Sequence, residues 1–134
     1  MLKERVNQLF IEQLNDWEQA KNNYKALEQS KIKILDVAGH TYKVQYNPAR
    51  YVSSAADCKS VYERPCFLCA SNRSTKQNGV PFKDQYVILI NPYPIFTRHF
   101  TIAANEHVPQ LIASRFEDML ELARQLDDHV VFYN

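Results

Sequence analysis

The sequence predicts an α+β fold: a small antiparallel sheet flanked by helices. Two observations carry this. Helical spacing marks both ends of the chain, with Phe10, Leu14, Trp17, Tyr24 and Leu27 recurring at three- and four-residue steps in one segment and Phe116, Met119, Leu120, Ala123 and Leu126 in another. Between them lie short alternating or wholly apolar runs bounded by turn residues, the pattern of strands. A chain of 134 residues that is 46% apolar has the size and composition of one domain with one core.

Residues 3 to 28 read as one helix, an N-terminal helical extension of about residues 1–30. "KIKILDV" places Ile32 and Ile34 on one face, and "TYKVQY" places Tyr42, Val44 and Tyr46 on one face. Ala38-Gly39 between them predicts a hairpin. Residues 47 to 63 show no period and read as a long connection, a type of segment that is often functional. The stretch "NRSTKQNGVPFKD" is polar and turn-rich, with Asn78-Gly79 its strongest turn signal. "YVILI", residues 86–90, reads as a strand buried on both faces. "NPYPIFTR" breaks it, and "HFTIAA" resumes with Phe100 and Ile102 facing one way and His99 and Thr101 the other. Ser114 and Glu117 form a capping box, so a helix is expected from 114 to about 129. "VVFYN" predicts a final strand beginning where the sequence stops, which reads as a chain cut from a longer one.

Composition excludes several classes. With 16 basic and 15 acidic residues, the chain has no bulk charge with which to grip DNA, RNA or an acidic membrane. No apolar run approaches the roughly 20 residues of a membrane helix, and the charged N-terminus is not a signal peptide. Two glycines cannot build a glycine-rich phosphate loop. Three cysteines fit a reducing compartment, the cytoplasm, better than a disulfide framework.

The chemistry-bearing candidates are few. In "RPCFLCASNR", Cys66-x-x-Cys69 lets two thiolates converge on one metal, but zinc wants about four ligands, so the pair is half a site. Two other readings stand beside it: buried cysteines acting as small apolar residues, or a redox pair, against which the aperiodic loop ahead of Cys66 argues. Cys58 reads as a bystander. His107, in the turn after a strand, is either a third ligand or a surface histidine. His99 either faces a ligand or sits at a sheet margin; His40 and His129 carry no assigned function. Where "INPYPIFTRHFTI" leaves and re-enters the sheet, Asn91 can donate and accept to a sugar or base, and Arg98 can pair with phosphate. Arg50 in "YNPAR" is a second phosphate clamp or a surface cation. For each of these the plain alternative is an ordinary turn. No nucleophile with a general base is arguable.

In their order, "YNPAR", "RPCFLCASNR", "VILINPYPIFTRHFTIAANEH" and the following amphipathic helix resemble the first half of the galactose-1-phosphate uridylyltransferases, diadenosine tetraphosphate phosphorylases and GDP-hexose phosphorylases of the histidine-triad (HIT-like) superfamily. The likeness runs from about Tyr46 to Asn134 and leaves out the N-terminal helix. It implies a HIT-like domain over 31–134, the N-terminal portion of the fold. It further implies a structural zinc on Cys66, Cys69 and His107, with a fourth ligand missing from this chain. The implied nucleotide contacts fall on Asn91, Arg50, Pro94 and His99. The implied partner is a nucleoside diphosphate sugar or a dinucleotide, attacked by a histidine of a His-x-His motif to form a nucleotidyl-histidine. No such motif occurs among the four histidines. The resemblance therefore implies an N-terminal part of a nucleotidyltransferase or phosphorylase, inactive alone, or a non-catalytic nucleotide-binding or structural module of the same fold. A strand edge left exposed admits a homodimer.

Overall fold

The structure, a computed structural model, describes residues 1–55 and 63–133. Its order is α1 (Leu2–Asp16), α2 (Glu18–Glu28), β1 (Lys31–Val37), β2 (His40–Tyr46), a 3-10 turn at Pro48–Arg50, α3 (Tyr51–Ser54), β3 (Gly79–Phe82), β4 (Tyr86–Ile90), β5 (Phe100–Ala104), a 3-10 turn at Ala113–Arg115 and α4 (Phe116–Gln125). The class is α+β, as expected. Two small antiparallel sheets stand where one was expected: β1 pairs with β2, and β3-β4-β5 form a meander.

The expected single N-terminal helix is two helices. Trp17 adopts extended dihedrals between them, with its N–H still bonded to the Gln13 carbonyl at 3.0 Å. The break lets each helix bury its own stripe: Val6, Leu9 and Gln13 from α1, Ala20, Tyr24 and Leu27 from α2. Val6 and Leu9 of the first stripe join Val80, Phe82, Tyr86, Ile88, Leu122 and Leu126 in the main core. Ala20 and Tyr24 of the second, with Trp17, close over Ile90. Ile88, Leu89 and Ile90 are all fully buried, so β4 is covered on both faces as its unbroken apolar run requires.

Other boundaries differ for local reasons. Ser114 caps nothing; it lies inside the 3-10 turn, and α4 starts at Phe116 without a side-chain cap. Arg115, at the capping position, reaches inward to donate to the Tyr86 hydroxyl at 2.9 Å. The helix also ends earlier than expected, at Gln125. β3 falls inside the stretch read as turns: its burial alternates, with Val80 and Phe82 inward. Residues 131–133 are not a strand; Val131 packs on the core instead. The β1–β2 hairpin is as read, closed by Ala38 and Gly39 at φ 51° and 81°, the left-handed pair a two-residue turn demands. Among the described residues no helix is long and apolar enough to cross a membrane.

Candidate metal centre and ligand cleft

Tight turns shape the cysteine loop. The Cys69 N–H donates to the Cys66 carbonyl at 3.2 Å, and the N–H groups of Asn72 and Arg73 donate to the Cys69 carbonyl at 2.9 and 3.2 Å. The Asn72 side-chain amide returns to the Cys66 carbonyl at 3.0 Å. This winding turns both half-buried thiols to one side. The turn after β5 brings His107 to them, its Nδ1 lying 3.2 Å from Cys69 Sγ. One ligand atom from each of the three lies within 4.8 Å of the others. Bonds of 2.0 to 2.3 Å at tetrahedral angles place ligand atoms about 3.5 to 3.8 Å apart, so small side-chain rotations close this set on a metal.

Electrostatics favour a thiolate at Cys66. Burial pushes its thiol up, but the backbone N–H groups of Leu68 and Cys69, the Cys69 side chain and the charge of Arg64 outweigh it and hold the group below its ordinary value. Cys69 goes the other way: burial and the neighbouring Cys66 raise it, against a smaller opposing pull from Arg73. Cys66 thus ionises first, and a cation of the kind that binds thiolates would bring the second proton off. Cys66, Cys69 and His107 lie close enough to bind a metal. Cys58 lies outside the described residues.

The expected nucleotide residues gather around the segment 91–99. The Asn91 N–H closes the sheet by donating to the His99 carbonyl at 2.8 Å. Its side chain caps its own turn, accepting from the Tyr93 N–H at 2.9 Å and donating to Thr101 Oγ1 at 3.4 Å. Pro94 is fully buried and shapes the loop from within. His99 is half-buried, and its Nδ1 accepts from the Ile95 N–H at 3.3 Å. That bond fixes the neutral ring as the tautomer with its proton on Nε2. Burial lowers the affinity of His99 for a second proton, and the charge of Arg50 lowers it further.

Arg50 reaches this region from "YNPAR". Asn47 Oδ1 caps the 3-10 turn at the Ala49 N–H (3.2 Å), with Pro48 at its first position. Gln45 Nε2 donates to the Ile95 carbonyl at 3.4 Å, joining the base of the hairpin to the loop. A groove of about 460 Å³ runs along Gln45, Asn47, Arg50 and Ser54. Among the described residues, Asn47 Nδ2 and Arg50 Nε are buried without a hydrogen-bond partner, as are Nε of Arg73 and Arg98 and Nε2 of His129 elsewhere in the fold. Buried donors of this kind are rare in folded proteins and are ordinarily met by water or a ligand.

Two features escaped the sequence reading. Phe96 and Phe132, each 51% exposed, flank His99: Phe132 stacks on its imidazole at 6.5 Å and Phe96 meets both rings edge-on. Phe132 belongs to the run read as a strand, and no spacing signal ties it to His99. Arg98, read as a phosphate clamp, turns inward to Asn7 and lies 5.3 Å from the centre of the Phe10 ring. Its charge is engaged with α1.

No curated protein and no solved structure matches the chain. A family model described as "Domain of unknown function (DUF4922)" matches residues 9–134, all but the first turns of α1, and the chain belongs to that family.

Proposed function

We propose that this chain is the zinc-tied, nucleotide-recognising part of a HIT-like nucleotidyltransferase or phosphorylase acting on nucleoside diphosphate sugars or dinucleotides. The observation that carries the reading is the groove along Gln45, Asn47 and Arg50, which the Gln45 amide ties to the loop bearing His99 by its bond to the Ile95 carbonyl at 3.4 Å. A diphosphate is the chemistry those groups suit: a guanidinium for the negative charge, amide and imidazole N–H groups for phosphate or ribose oxygens, and the exposed Phe96 and Phe132 rings for a base to stack on. Zinc on Cys66, Cys69 and His107 would supply a structural tie between the cysteine loop and the turn after β5.

No chemical step is assigned to these residues, because none of the four histidines stands in a His-x-His pair. A second reading is a nucleotide-binding module without catalysis of its own. Both readings predict binding; only a longer molecule carrying the nucleophile would become nucleotidylated. The free thiols of Cys66 and Cys69 suit a reducing compartment such as the cytoplasm.

Titration calorimetry of zinc-loaded protein with GDP, UDP and ADP tests the proposal. At least one diphosphate should bind, and Arg50→Ala should weaken it about tenfold or more, the worth of one charge-assisted contact. Absence of binding by all three, or binding indifferent to Arg50, would overturn it.

A further inference from the structure

We infer that helix α2 is a positioning brace for the ligand cleft: Asn23 and Tyr24 set the backbone that carries Asn91 and His99 and hold it against the Arg50 turn. The inference rests on the nucleotide reading above and extends it to a segment outside the motifs that suggested it.

The hydroxyl of Tyr24 bridges both backbone groups of one residue. It donates to the His99 carbonyl at 2.9 Å and accepts from the His99 N–H at 3.2 Å. That same carbonyl receives the Asn91 N–H. Tyr24 therefore sits where the chain leaves the sheet at Asn91 and re-enters it at His99. From the adjacent position of α2 the Asn23 amide donates to the Pro92 carbonyl at 2.7 Å, and about one turn earlier Gln19 reaches the Tyr93 hydroxyl at 3.0 Å. Three side chains of one helix thus grip successive points of the same loop. The ring of Tyr24 is buried and locked edge-on against Phe10 at 5.2 Å, so the hydroxyl is presented from a rigid base.

Helix α2 also packs on the Pro48–Arg50 turn. It thus touches both the turn that bears Arg50 and the loop that bears His99, and its rotation and translation set the spacing between them. A diphosphate bound between a guanidinium and an imidazole is sensitive to such spacing, since displacements of about 1 Å at a positioned group are enough to lose most of its effect. Tyr24 and Asn23 act through His99 and Asn91 and are positioning residues.

The test compares Tyr24→Phe and Asn23→Ala with Val6→Ala, a core change on α1 that reaches neither wall. Two readouts are taken on folded protein: the ¹⁵N spectrum of the His99 imidazole, and GDP and UDP affinity. Both brace variants should shift His99 from its single Nε2–H tautomer towards a mixture and weaken binding about tenfold, while Val6→Ala lowers thermal stability and leaves both readouts alone. A wild-type His99 spectrum in both brace variants overturns the inference, as does an affinity loss equal to that of Val6→Ala. Should Tyr24→Phe not fold, Asn23→Ala, which removes one part-buried bond from a half-buried position, decides alone. If the wild-type protein binds neither nucleotide, the nucleotide reading fails; the brace then stands or falls on the imidazole spectrum.

Discussion

Cys66, Cys69 and His107 illustrate how far a single residue can be read. The two cysteines announce themselves by spacing, but His107 is 38 positions beyond Cys69, and its approach depends on how β4 and β5 pair. Residue chemistry alone left metal, redox and packing readings open; the resemblance named His107, and the geometry brings the three ligand atoms together. Purified protein should therefore carry about one zinc per chain by elemental analysis, and Cys66→Ser or His107→Ala should lose most of it, because each removes one of few ligands. A metal-free protein that forms a Cys66–Cys69 disulfide under mild oxidation would instead support the redox reading. His99 gives a second prediction. Burial first, and Arg50 second, hold its folded-state pKa below the ordinary value. The unfolded chain takes up its proton near pH 6.5 while the folded protein resists, so stability tied to this ring is lost as pH falls below about 6.5. Arg50→Ala removes the second cause, so the His99 midpoint in an NMR titration should rise; an unmoved midpoint would place Arg50 elsewhere.

At the scale of elements, legibility followed the strength of local signals. Ala38-Gly39 and "YVILI" were read correctly because a left-handed turn and a doubly buried strand each leave a mark no other structure needs. The break at Trp17 leaves none: no proline or glycine precedes it, and it arises because two cores need two stripes. β3 was hidden by turn residues, although Val80 and Phe82 alternate as a strand requires and Pro81 fits an edge position. Its glycine has a further role. A Cβ on Gly79 would lie 2.4 Å from Val87 Cγ2 and 2.9 Å from Leu89 Cδ2, so β3 approaches β4 more closely than any side chain allows. Gly79→Ala should cost about 1–3 kcal/mol through overpacking against the Val87 and Leu89 side chains, measured by urea denaturation; a midpoint equal to wild type would contradict this packing. Buried Gln13 explains why the loop before β3 is ordered: its amide donates to the Lys76 carbonyl at 3.0 Å and its oxygen accepts from the Asn78 N–H at 3.1 Å. A lone glutamine in a helical stripe gives no hint of that partner.

The whole molecule joins these parts through its N-terminal helices. The motifs suggesting nucleotide chemistry begin near Tyr46, and α1 and α2 read as an appendage; in the fold they hold Arg98, the carbonyls of Pro92 and His99, and Tyr93. The family match from residue 9 onward includes most of this scaffold. Sequence order placed Arg50 in one motif and Asn91 and His99 in another, and the tertiary arrangement joins the two through the Gln45–Ile95 bond, with the charge of Arg50 felt at His99. The central claim is that a nucleoside diphosphate occupies that meeting point. The most direct measurement is a ¹⁵N-¹H titration of zinc-loaded protein with GDP and, separately, UDP, following the His99 ring and the amides of residues 47–50. The account predicts saturable shifts confined to the Arg50 turn, residues 91–99 and Phe132, with the β1–β2 turn at Ala38-Gly39 unmoved; spectra unchanged by both nucleotides, or shifts centred away from Arg50 and His99, would contradict it.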